Sequence, residues 1–313
     1  TWGTMSPRYM NTYPIFLWLI SEPIVGLIDS RIASFLDIDV LSANASDNEI
    51  AWYESNGASD PTFVQRTINN SVTGAMSVYA ADMDNDGDID ILAAAQEEDK
   101  IYWFESDGAA DPSFSATTIT SSADGIYSVY AKDLDNDGDM DIMSASANDD
   151  KIAWYENNGA ADPSFTARTI ATSADGAASV FAADIDGDGD QDVISASLND
   201  NTVAWYENGL SAFGDPTFGS ANIATSFDAA AQILTVDIDN DGDLDVLGAA
   251  YADDQIAWFE NNGASDPSFT SRTIAMGTSS ANGPWSVYAA DLDSDGDIAV
   301  SYTHLTLPTN REV

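Results

Sequence analysis

"DMDNDGDID", residues 82–90, sets five aspartates among nine positions with a single glycine. Crowding that many carboxylates is unfavourable unless something cancels their charge. With Asp82 as position one, Asp84 falls at three, Asp86 at five, Gly87 at six and Asp90 at nine. Oxygen ligands at one, three and five, a glycine turn at six, a backbone carbonyl at seven and a carboxylate at nine describe a loop folded around Ca²⁺. A hard cation suits this all-oxygen donor set, and no softer ligand is on offer. An EF-hand would need a glutamate at position twelve between two helices. Position twelve is Ala93, and the flanks "VYAA" and "ILAAA" have strand composition.

The loop recurs. "VYAADMDNDGDIDILAAA" (78–95) is followed by "VYAKDLDNDGDMDIMSAS" (129–146), "VFAADIDGDGDQDVISAS" (180–197), "ILTVDIDNDGDLDVLGAA" (233–250) and "VYAADLDSDGDIAVSYTH" (287–304). The first aspartates, Asp82, Asp133, Asp184, Asp237 and Asp291, are spaced by 51, 51, 53 and 54 residues. A second element keeps the period: "EIAWYESNGASDPTF" (49–63), "KIYWFESDGAADPSF" (100–114), "KIAWYENNGAADPSF" (151–165), "TVAWYENGLSAFGDPTF" (202–218) and "QIAWFENNGASDPSF" (255–269). Each unit offers four short strand-like runs divided by turn signals such as Asn-Gly and Asp-Pro, with no long helical apolar period. Four strands per roughly 40–50 residues is the pattern of propeller blades. The expected fold is all-β, a β-propeller of four-stranded blades.

These repeats resemble the FG-GAP/VCBS group, whose cation loop runs Asp-x-Asp/Asn-x-Asp-Gly-x-x-Asp between the first and second strands of a blade. The resemblance implies Ca²⁺ as the cofactor and a propeller that is commonly seven-bladed, of which five blades are recognisable here. The matching ligands are Asp82, Asp84, Asp86 and Asp90; Asp133, Asp135, Asp137 and Asp141; Asp184, Asp186, Asp188 and Asp192; and Asp237, Asp239, Asp241 and Asp245. The fifth copy keeps Asp291, Asp293 and Asp295 but has Ala299 at position nine. Asp88, Asp139, Asp190, Asp243 and Asp297 hold position seven, where the main chain contributes, and are counted with the site residues.

Nine basic against 53 acidic residues give a net charge of −44, which repels nucleic acid and anionic lipid. The loop aspartates supply nearly half of the acids, so much of this charge belongs to candidate metal sites. The remainder fits a saline setting. Cysteine is absent, which removes disulfide and thiol chemistry. Several calcium loops imply a calcium-rich surrounding, hence an extracellular or cell-surface location.

The repeat spans 37–298. Residues 1–36 show none: stepping back 51 from Asp82, Asp84 and Asp86 lands on Arg31, Ala33 and Phe35. The tail from 299 to 313, "VSYTHLTLPTNREV" with its preceding alanine, resembles adapter read-through in translated environmental DNA. These ends read either as a gene fragment with a frame shift near residue 36 or as divergent capping blades. "YPIFLWLI" (13–20) is too short to span a membrane, so no membrane insertion is expected.

The Trp-aromatic pairs, Trp52-Tyr53 through Trp258-Phe259, could form a sugar platform, but core packing is the simpler role because both faces of a blade are covered. Catalysis needs a unique constellation, and a repeat supplies equivalents. The only histidine is His304, in the tail, and there is no Gly-x-Ser-x-Gly elbow. The expectation is a non-enzymatic module that binds an extracellular protein or glycan in an adhesive or lectin-like way. The alternatives are the propeller of a polysaccharide lyase with its catalytic residues elsewhere, or a structural spacer in a large surface protein. Positions that break the repeat, Lys132, Tyr251, "LSAFG" (210–214) and "GTSSANGPW" (277–285), are the candidates for specificity.

Overall fold

A computed structural model describes residues 16–19, 39–58, 60–109, 111–210, 216–277, 283–292 and 295–304. The chain divides into two compact units, one ending at Ser122 and the other running from Ala123, with Met83–Asp86 grouped with the second.

The first unit holds two four-stranded antiparallel sheets whose strands follow chain order. One comprises Phe16–Leu19, Val40–Asn44, Glu49–Ser55 and Phe63–Asn69; the other comprises Ala75–Ala81, Asp90–Ala95, Lys100–Ser106 and Phe114–Thr120. Phe16–Leu19 comes from the segment without a repeat and pairs with Val40–Asn44; residues 1–15 and 20–38 lie outside the described residues.

The second unit holds three more four-stranded sheets and a two-stranded one. The four-stranded sheets run Ile126–Lys132, Asp141–Ser146, Lys151–Asn157 and Phe165–Ala171; then Ala177–Ala183, Asp192–Ser197, Thr202–Asn208 and Phe218–Ala224; then Ala230–Val236, Asp245–Ala250, Gln255–Asn261 and Phe269–Met276. Pro284–Ala290 pairs with Ala299–His304, and the register Ala290↔Ala299 repeats Lys132↔Asp141. Residues 305–313 lie outside the described residues. The four short runs per unit are therefore four strands, and each aspartate loop joins the first strand of its sheet to the second.

Burial differs sharply across a sheet. All six residues of Asp141–Ser146 are buried, and so are those of Asp90–Ala95, Asp192–Ser197 and Asp245–Ala250. These strands are rich in Ala, Ser and Gly, which lets sheets close in on both faces. On the third strands, Trp103, Trp154 and Trp205 are 2–3 % exposed and Phe104, Tyr155, Tyr206 and Phe259 at most 5 %. The pairs at 103–104, 154–155 and 205–206 are thus core, as expected, and each such side chain contributes about 1.5–3 kcal/mol by leaving water; Trp52, Tyr53 and Trp258 are half-buried. The fourth strands, by contrast, carry mostly exposed Thr, Ser and Arg.

Candidate metal centre

A turn signal and a buried anchor build each loop. In the loop at 133–141, Gly138 sits at φ +97°, a conformation that penalises any Cβ. Its N–H donates to Asp133 Oδ2 at 2.9 Å, while the Asp137 N–H donates to Asp133 Oδ1 at 3.1 Å and to Asp135 Oδ1 at 3.3 Å. These bonds fix the carboxylates at positions one and three, which face a common centre with that of Asp141. The same glycine-to-position-one bond forms at Gly87, Gly189, Gly242 and Gly296, at 2.9–3.1 Å.

The ninth residue is the anchor. Asp141 is fully buried, and its two oxygens accept from the Leu134 N–H at 3.0 Å and the Asn157 N–H at 2.8 Å. Asp192 does the same with Ile185 and Asn208, and Asp245 with Ile238 and Asn261. This carboxylate therefore pins the second loop residue and the end of the third strand together. Asp39, one period upstream of Asp90, plays part of the same role: it accepts from the Ser55 N–H and from the indole N–H of Trp52, each within 2.9 Å.

Carboxylate oxygens of Asp133, Asp135 and Asp141 lie within 4.8 Å of one another, as do those of Asp184, Asp186 and Asp188 and of Asp237, Asp239 and Asp245. Asp82, Asp84 and Asp86 form the corresponding group in the loop at 82–90. Oxygens bound to one Ca²⁺ at 2.3–2.6 Å can be at most about 5 Å apart, so this spacing fits a shared ion. Asp293 lies outside the described residues, and Asp291, Asp295 and Asp297 keep the first half of the loop's bonding pattern.

The electrostatics say the same. Burial pushes Asp141 up to about 7, against the pull of the Asn157 and Leu134 N–H groups and with a further push from the Asp135 charge. Asp192 is raised to about 6, mainly by burial. Asp135 is also raised to about 6, by burial and then by the charge of Asp137. Burial likewise raises Asp186, Asp239 and Asp245. A cluster of carboxylates that resists ionisation is one that a cation relieves. Bound there, Ca²⁺ would supply the positive charge that lets these buried aspartates ionise.

The position-seven side chains point elsewhere. A Cβ placed on Gly159 would meet Asp139 Oδ2 at 2.1 Å, so this carboxylate sits against the bare glycine of the Asn-Gly turn. Asp139 Oδ1 accepts from Asn85 Nδ2 at 2.6 Å, and Asp190 Oδ1 from Asn136 Nδ2 at 3.0 Å. Two repeat-breaking positions do meet: Tyr251 and Trp285 pack edge to face with centroids 5.8 Å apart. Residues 211–214 and 278–282 of the other candidate stretches lie outside the described residues.

Sequence reading passed over the asparagines that end three of the third strands. Asn157 Nδ2 donates to the carbonyls of Met83 and Met140, Asn208 Nδ2 to those of Leu134 and Gln191, and Asn261 Nδ2 to those of Ile185 and Leu244, all at 2.8–3.1 Å. The available signal was the fixed position after the aromatic pair, "WYEN" or "WFEN" against "WYES" and "WFES".

An FG-GAP-like repeat matches residues 37–93, 82–144, 144–195, 184–248 and 237–300. The chain belongs to the FG-GAP-like repeat family. Its sheets are those of a β-propeller, with five four-stranded blades among the described residues. No curated protein matches significantly. Among solved structures, the fold resembles an Agrocybe aegerita lectin that recognises non-reducing terminal N-acetylglucosamine. That match has 19% identity and a TM-score of 0.57, over 84% of this chain and 70% of the lectin. Virginiamycin B lyase from Staphylococcus aureus matches at 13% identity and TM-score 0.53, over 81% of this chain and 71% of its own. The periplasmic gluconolactonase of Pseudomonas aeruginosa matches at 14% and 0.51, over 76% and 70%. Among the described residues, no helix is long and apolar enough to cross a membrane.

Proposed function

We propose that this FG-GAP-like propeller is a non-catalytic, calcium-tied binding module of a secreted or cell-surface protein, with a glycan or a protein as its ligand. The observation that carries the reading is the repeated aspartate loop, its carboxylates gathered to within 4.8 Å and anchored to the sheet. Four such loops serve a chain that functions where calcium is plentiful, because only there is every site filled. The acidic groups that cluster are accounted for by cation binding, which leaves no separate acid–base pair among them. A lectin shares the fold, and this supports a sugar as one ligand class.

The test is a glycan and matrix-protein array probed with the full chain in millimolar calcium and again in EDTA. Retention on a defined ligand class that disappears in EDTA is the expected result. Retention indifferent to EDTA would separate ligand binding from the loops. Turnover of a polysaccharide on the array would favour the lyase alternative.

A further inference from the structure

The loops at 133–141, 184–192 and 237–245 are not independent of one another. Leu134 stands between two metal-facing aspartates, Asp133 and Asp135. Its N–H is held by Asp141, and its carbonyl accepts from Asn208 Nδ2 at 2.8 Å. Asn208 belongs to the next sheet, where the same amide donates to the Gln191 carbonyl at 3.0 Å and its own N–H donates to Asp192 at 2.7 Å. One fully buried residue thus joins position two of one loop to positions eight and nine of the next. Asn261 repeats this between 184–192 and 237–245, through Ile185, Leu244 and Asp245.

Resting on the calcium reading above, we propose that these three loops bind calcium cooperatively, with Asn208 and Asn261 as the coupling residues. Filling one site orders the backbone on either side of its position-two residue. The latch asparagine passes that order to the neighbour's position-nine anchor. The second ion then meets a loop whose ordering cost has already been met, which is positive coupling without any change of fold.

The structure ranks the two links. Between 133–141 and 184–192 a second bond runs along the rim, from Asn136 to Asp190 at 3.0 Å. Between 184–192 and 237–245 the rim position is Gly187, which has no side-chain amide to offer, so Asn261 carries the hydrogen bonds between those loops. Asn261 is therefore the stronger point of failure.

The experiment uses the full chain, titrated with Ca²⁺ by calorimetry, with melting curves in calcium and in EDTA. The variants are Asn208→Ser and Asn261→Ser. Serine stands at the same place in Ser55 and Ser106, so the fold accommodates it. The expected wild-type result is a Hill coefficient above 1. Asn261→Ser should lower it toward 1 and weaken the midpoint by about fivefold, the lower end of ordinary coupling; Asn208→Ser should do so less. Wild-type sites that titrate independently overturn the proposal. So do variants that melt lower in both buffers yet bind with unchanged steepness, because the asparagines are then structural only. If the chain takes up no calcium at all, both this coupling and the calcium reading fall, an outcome distinct from independent binding.

Discussion

The loops at 133–141 and 291–299 begin alike and end differently. Both turn on a glycine whose N–H meets the position-one aspartate, at 2.9 Å in one and 3.0 Å in the other. At position nine the first has Asp141 and the second Ala299. In the first, Leu134 at position two is fully buried; in the second, Leu292 is 71 % exposed. Met83 and Ile185, at position two of two other loops, are also at most 3 % exposed. The glycine turn alone therefore gives the loop its bend. The ninth aspartate fastens that bend to the sheet by holding the position-two N–H, as Asp141, Asp192 and Asp245 do.

Removing calcium should do most to erase this difference. A site held at a hundred times its Kd adds about 2.7 kcal/mol to stability. Four such sites predict that melting in EDTA falls at least about 10 °C below melting in millimolar calcium. An unchanged melting temperature would sink the metal-tied reading of all the loops.

Next in size is the anchor itself. Asp141→Ala leaves the Leu134 and Asn157 N–H groups buried without partners, at about 1–3 kcal/mol each, and should abolish one calcium site. The reciprocal change, Ala299→Asp, should give the loop at 291–299 its missing fastening and tighten its calcium binding by about tenfold. A calorimetric titration in which Ala299→Asp behaves as wild type would show that the anchor is not what separates the two loops.

Smaller is the effect of pH. In EDTA, Asp141 titrates near 7 and Asp135 and Asp192 near 6, against 3.8 when unfolded. Between those values the folded chain binds more protons than the unfolded one, so metal-free stability falls as pH rises from about 4 to 7. Protons and calcium compete for the same oxygens, so the calcium-loaded protein should show the reverse trend. Melting curves at pH 4.5 and 7.5, with calcium and with EDTA, read both slopes.

Smallest is the effect of a repeated surface ion pair. Arg168 pairs with Glu156 at 2.5 Å on an exposed fourth strand, while Thr117 stands opposite Trp103 where Arg168 stands opposite Trp154. Arg168→Thr loses this pair and the guanidinium over the Trp154 ring at 5.3 Å, and should cost about 1–2 kcal/mol by denaturant titration.

The period, the strand count and the gathering of loop carboxylates were legible because each is written in residue types that serve one purpose. Glycine at position six answers a backbone angle, and alternating aspartates come together in one cluster. The aromatic pairs were legible as core for a similar reason, since a sheet covered on both faces buries both. What stayed hidden was direction. A position-seven aspartate looks like its neighbours in sequence, yet Asp139 turns to Gly159 and Asn85. Nor does sequence reveal that Asn157, Asn208 and Asn261 reach into a loop about 74–76 residues away, because that depends on how one sheet stacks on the next.

The exposed fourth strands have one further consequence. Among the described residues each ends its sheet with no strand beyond it, and an open row of amides and carbonyls is a template for another molecule's strand. Two of these margins also carry much of the exposed apolar surface, through Phe63, Val64, Ile274 and Met276. Charge is what keeps such margins from seeding fibrils, and here the net charge is −44. Every bound calcium subtracts two from that repulsion. An ion that tightens each molecule would therefore also weaken the barrier between molecules, and the protein's solubility should pass through an optimum as calcium rises.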